Sequence, residues 1–267
     1  MSKEAMRDRD KLMRDESRTE TATYSSLRPD PSTVRILLWD LDGTLVRGAR
    51  YGIFKDYTIP MLESVFGTAG SLGEMIVSGM TDLQIVEEAL RGHGITREDI
   101  LARKDELLSS YIKEMKRATG NGAHIIEAIP GARETLARIE DHSGYASALL
   151  TGNIKPAAYL KLEITGLAEF FRLPGAFGDE SFDRRDLPAI AAQRINEHFD
   201  RTLLPEQFIV IGDTPNDIAC ARHFGARVIA VATGRIHSAA DLRAQNPDAL
   251  LPDLTDADRF LQILEDL

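Results

Sequence analysis

Apolar residues fill positions 34–39 with Arg35 the only polar break, which predicts a strand buried on both faces. From 51 to 118 the period changes. Phe54, Thr58, Met61, Leu62 and Val65 fall at helical offsets, and Leu83, Val86 and Leu90 make a second stripe. Thr81-Asp82-Leu83-Gln84 has the capping-box pattern that opens a helix, and Thr96-Arg97-Glu98-Asp99 resembles another helix start. Leu101, Leu107, Leu108, Tyr111, Ile112 and Met115 extend the helical spacing, and no strand is expected there. After Pro130-Gly131 the two periods alternate. Helices are expected over 131–140, 155–164, 187–199, 217–224, 239–243 and 257–264. Strands are expected at 145–150, 208–211, 228–231 and 249–251, with a short extended stretch near 176–177. Strands alternating with helices imply an α/β fold, a doubly wound parallel sheet whose ligands lie beyond the carboxyl ends of the strands. The helical block 47–128 interrupts that alternation after the first strand and reads as an inserted cap.

The first 33 residues follow neither period. Lys3, Arg7, Arg9, Lys11, Arg14 and Arg18 alternate with Glu4, Asp8, Asp10, Asp15, Glu16 and Glu20, and large apolar groups are scarce. Such a segment buries too little surface to offset its ordering entropy, so a charged, mobile tail is expected over 1–33. The core is expected at 34–46 and 129–267.

Composition narrows the function classes. A net charge of −10 argues against a nucleic-acid partner, which needs a basic face. The single cysteine, Cys220, rules out an intrachain disulfide and fits a reducing compartment. No stretch approaches the about 18 consecutive apolar residues of a membrane span, and the N-terminus has no apolar signal core, so no membrane partner and a cytoplasmic location are expected. The six histidines follow no metal-ligand spacing.

The chemistry gathers where apolar strands stop. The first ends in Asp40-Leu41-Asp42-Gly43-Thr44, another in Thr151-Gly152-Asn153, a third in Gly212-Asp213-Thr214-Pro215-Asn216-Asp217. In a parallel sheet all three clusters fall on one edge. Carboxylates two residues apart on an extended strand point to the same side, and buried charge is too unfavourable to keep without a partner. The pair demands a cation, a shared proton or a basic group, and an oxygen-only donor set favours Mg2+. The glycines let backbone amides approach an anion.

These residues resemble the haloacid dehalogenase superfamily, in the style of its phosphoglycolate phosphatase-like members with a helical cap. Asp40 to Thr44 match its Asp-x-Asp-Gly-Thr motif, Thr151 its strand-terminal hydroxyl, and Gly212, Asp213 and Asp217 its Gly-Asp-x-x-x-Asp motif. The resemblance implies a Rossmann-like three-layer core with an inserted α-helical cap. It implies a Mg2+-dependent phosphatase acting on a small phosphorylated metabolite. Asp40 would be the nucleophile and Asp42 the general acid and base. Asp40, Asp42 through its backbone carbonyl, Asp213 and Asp217 would surround the metal, and Thr151, Gly152 and Asn153 would hold the phosphoryl oxygens. The family's usual lysine before a proline-containing helix start is missing. Spacing to Pro188 gives its place to Arg185, with Arg184 the close competitor and Lys155 a further stand-in. A phosphomutase, a dehalogenase and a noncatalytic binding protein are the alternatives on this fold. Gly79-Met80-Thr81-Asp82 resembles a substrate-facing cap motif. The chain is expected to act as a monomer or homodimer.

Overall fold

The computed structural model describes residues 34–120 and 126–267; the charged segment 1–33 lies outside them. Five parallel strands form the central sheet: β1 (Arg35–Trp39), β4 (Tyr145–Leu149), β5 (Phe208–Gly212), β6 (Arg227–Val231) and β7 (Ala249–Leu251), in the order β4-β1-β5-β6-β7. The sheet is built as the unbroken apolar runs dictate. Leu37, Trp39, Leu149, Ile209, Ile211, Ile229 and Val231 face one core cluster. Ile36, Leu38, Ala148, Phe208, Val210, Val228 and Ala230 face the other. Alternate residues of each strand therefore bury opposite faces, and neither face is left for water.

On the first face lie α5 (Ala132–Glu140), α6 (Lys155–Thr165) and α10 (Ala257–Asp266), with Trp39 stacked on Phe260. On the second lie α7 (Leu187–Phe199), α8 (Pro215–Phe224) and α9 (Ala239–Ala244). This is the three-layer α/β core with an inserted helical cap.

The cap helices are α1 (Lys55–Phe66), α2 (Asp82–Leu90), α3 (Arg97–Ala102) and α4 (Lys104–Gly120). Their apolar stripes, among them Met61, Leu62, Val86, Leu107 and Met115, continue the first core cluster. Two short strands that periodicity did not reveal, β2 (Val46–Gly48) and β3 (Ile126–Ala128), pair antiparallel at the base of the helical block. Each is three residues long, too short for a period of two to register. Among the described residues no helix is long and apolar enough to cross a membrane.

Candidate active site

In the strand order β4-β1-β5, the three polar clusters become neighbours at one sheet edge. The amide of Asp40 donates to Ile211 O at 2.9 Å, and that of Leu150 to Trp39 O at 2.8 Å, so the ladder carries the register up to the site. Asp40, Thr151, Asp213 and Asp217 are all buried there.

The turn after Asp42 has little freedom. Gly43 has φ 91°, and a Cβ on it would lie 2.4 Å from Asp213 Oδ2. Either constraint alone disfavours a side chain; together they require glycine. Thr44 Oγ1 donates to Asp213 Oδ1 at 3.2 Å. The Gly212 backbone likewise lies against Asp217, where a Cβ would be 2.1 Å from its carboxyl carbon.

Asp217 divides its two oxygens. Oδ2 accepts from the amide and hydroxyl of Thr214 at 3.0 and 2.7 Å, closing a capping box at the start of α8. Oδ1 accepts from Arg184 Nη2 at 2.5 Å, and the same nitrogen donates to Asp40 Oδ1 at 2.7 Å. Arg184 is itself buried. The spacing to Pro188 thus selected the wrong arginine for contact with the carboxylates. Residues Arg184–Asp186 form a 3-10 turn ahead of α7, and the Asp183 side chain caps it by accepting from the Arg185 amide. That turn points Arg184 inward and Arg185 outward. Arg185, its side chain 59% exposed, pairs with Asp183 instead. Lys155 is also outside the cluster, with Nζ 5.6 Å from the centre of the Phe177 ring.

The carboxylates crowd one another. Burial raises the Asp40 pKa to about 7; Arg184 opposes the rise and Asp217 adds to it. Burial, followed by repulsion from Asp40 and Asp217, pushes Asp213 well above the carboxylate range. Ligand atoms of Asp40, Asp213 and Asp217 lie within 4.8 Å of one another. Three carboxylates against one guanidinium leave two negative charges when all are ionised, and every available donor is a hard oxygen. A small divalent cation such as Mg2+ fits both the charge and the donor set.

Asp42 lies apart from this cluster, its side chain 48% exposed. Its Oδ2 accepts from Asn153 Nδ2 and from Lys161 Nζ, each at 2.6 Å. Asn153 also donates to Thr151 Oγ1 at 2.8 Å, so its amide links the second strand end to Asp42. Lys161 did not figure in the sequence reading. Its signal was present, because it shares a buried helical stripe with Ala157, Ala158 and Leu162.

The cap meets the core beside these groups. The Asp82 amide donates to Gly152 O at 2.7 Å, and Asp82 Oδ2 accepts from the Ile154 amide at 2.8 Å. Thr81 Oγ1 accepts from the Gln84 amide as a helix cap and donates to Ser181 O in the core. A Cβ on Gly152 would stand 2.0 Å from Met80 O. Thr81 and Asp82 therefore start α2 and also fasten it to the core. A cavity of about 220 Å³ remains between the layers, lined by Asp40, Asp42, Lys161, Arg184 and Asp213 from the core and by Tyr57 and Tyr111 among the cap residues.

A HAD-hydrolase-like family model matches residues 186–257. A phosphoglycolate phosphatase from Pectobacterium atrosepticum is 25% identical over 233 residues, covering 87% of this chain and 92% of its own length. The pyrophosphatase PpaX of Oceanobacillus iheyensis is 20% identical over 234 residues, covering 84% and 95%. The crystal structure of a predicted phosphatase from Clostridium acetobutylicum superimposes with a TM-score of 0.61 at 19% identity, over 88% of this chain and 99% of that one. Strand-end aspartates, the sheet that gathers them and this likeness over most of the length make the chain similar to haloacid dehalogenase-like hydrolases, the phosphoglycolate phosphatases among them.

Proposed function

We propose that the chain hydrolyses a small phosphorylated metabolite with Mg2+, through an aspartyl phosphate on Asp40. The observation that carries this reading is the separation of two strand-end aspartates into different environments. Asp40 is buried in the carboxylate cluster with Arg184, whereas Asp42 is half-exposed and held by its own cation. Chemically alike groups in unlike surroundings can take unlike roles.

Asp40, Asp213 and Asp217 would hold the cation, with the Asp42 backbone carbonyl as a further donor. When bound, Mg2+ supplies charge neutralisation that lets an anionic nucleophile meet an anionic phosphate. Arg184 keeps Asp40 oriented and contributes fixed positive charge at the cluster. An oxygen of Asp40 bonds to phosphorus as the ester P–O bond breaks, and Asp42 protonates the departing oxygen. Asp42 then takes a proton from the water that cleaves the acyl phosphate and regenerates Asp40. Thr151 and the amides near Gly152 would receive phosphoryl oxygens. In this reading residues 34–46 and 129–267 are the catalytic core, and 47–128 close over the substrate and exclude bulk water.

The test is Mg2+-dependent release of inorganic phosphate from a panel of phosphorylated metabolites, with Asp40→Asn alongside. The variant keeps the volume of the side chain and loses the nucleophile, so turnover should vanish while circular dichroism is unchanged. Substantial residual turnover would refute the assignment.

A further inference from the structure

Lys161 is a buried ammonium in a core helix, and nothing in the reaction as set out above uses it. Only 5% of its side chain is exposed, a placement that a lysine tolerates only when its charge is compensated. Its hydrogen bonds run to Asp42 Oδ2 and Asn153 Oδ1, both at 2.6 Å. The Asn153 amide has one consistent orientation in this network: its oxygen accepts from Lys161 and its nitrogen donates to Asp42 and Thr151.

The consequence lies at the level of single oxygens. Asp42 Oδ2 receives both Lys161 and Asn153, and among the described residues no hydrogen bond reaches Oδ1. We propose that Lys161 is a positioning residue that, with Asn153, locks Asp42 through Oδ2 and reserves Oδ1 as the atom that carries the proton to and from the leaving oxygen. The proposal rests on the phosphatase reading above and deepens it. In the first half-reaction, the Asp40 oxygen forms its bond to phosphorus and the ester P–O bond breaks with its electron pair on the leaving oxygen. The proton on Asp42 Oδ1 then passes to that oxygen. Without Lys161 only the Asn153 amide still holds Oδ2, and the proton is less firmly presented in line with the leaving group.

A leaving-group comparison tests this. Phenyl phosphate expels a strongly basic phenoxide that needs the proton; 2,4-dinitrophenyl phosphate expels a weakly basic one that does not. Because kcat/KM reports only steps up to formation of the phosphoenzyme, it isolates the acid step. Lys161→Met should lower kcat/KM for phenyl phosphate by about 100-fold, the low end of a general-acid contribution. It should change that for 2,4-dinitrophenyl phosphate by no more than a few-fold. Activity on the second substrate also shows that the variant is folded. Lys161→Arg, which keeps a buried charge, should recover part of the loss; Lys161→Gln should not. If Lys161→Met fails to fold, the Gln and Arg variants are compared across the same two substrates. Equal losses on both substrates, or a raised KM on both with kcat intact, would overturn the proposal and make Lys161 a structural or substrate-binding group. If the unaltered protein hydrolyses neither ester with Mg2+, the phosphatase reading itself fails.

Discussion

Replacing Arg184 tests the site where sequence and structure disagree most. Arg184→Met keeps much of the side-chain length but removes the one cation among the described residues that touches both Asp40 and Asp217. All three side chains are at most 6% exposed, so water cannot take over its role. Removing one partner of a buried ion pair destabilises by about 3–5 kcal/mol. For a protein of this size that corresponds to a melting temperature lower by roughly 6–20 °C. Activity should fall by about 100-fold or more, as when one donor in a pre-organised anion site is deleted. Arg184→Lys should recover part of both, because it restores charge without the planar fork. Arg185→Ala is the internal comparison. Its partner Asp183 is exposed, and it touches none of the three cluster carboxylates, so it should leave melting temperature and kcat/KM essentially unchanged. Thermal melts in EDTA and initial rates with saturating Mg2+ read the two effects separately. If Arg185→Ala matched or exceeded Arg184→Met in either assay, the assignment of the buried arginine would be wrong.

Two further outcomes follow from the same cluster and its neighbour. Magnesium should raise the melting temperature of the unaltered protein, since a ligand at 100 times its Kd stabilises by about 2.7 kcal/mol. Asp217→Asn should shrink that shift when both are measured by calorimetry. Burial, only partly opposed by the Ile154 amide, raises the Asp82 pKa to about 7 from 3.8. The folded chain thus holds a proton that the unfolded chain releases. That contribution to stability is fully present below pH 4 and is lost as pH rises through about 7. Urea unfolding across this window should show the decline, and Asp82→Asn should flatten it; an unchanged slope would contradict the placement of Asp82.

The main architecture was legible because buried strands announce themselves. The runs 34–39 and 208–211 are apolar on both parities, which only a two-sided sheet explains. The aspartates and glycines at their ends were equally visible, since charge directly after such a run is hard to explain structurally. What stayed hidden depended on rotation and distance. Spacing to Pro188 favoured Arg185 over Arg184 because it carries no sign of the 3-10 turn that decides which one faces inward. Lys161 was hidden by its type, since lysine on a helix ordinarily marks the wet face, and only its place between Ala158 and Leu162 said otherwise. The β2–β3 pairing joins residues some eighty positions apart, beyond the reach of any local pattern.

That small ribbon has an architectural consequence. Gly48 pairs with Ile126 and Val46 with Ala128, so the chain leaves for the helical block and returns from it through adjacent backbones. Whatever lies between those two points is, to the sheet, a closed loop. Closure entropy grows only with the logarithm of loop length, so added residues between those two points would cost the strands below little in closure entropy. The separation of the two chain crossings is thereby set by the ribbon itself, whatever the length of the segment that joins them.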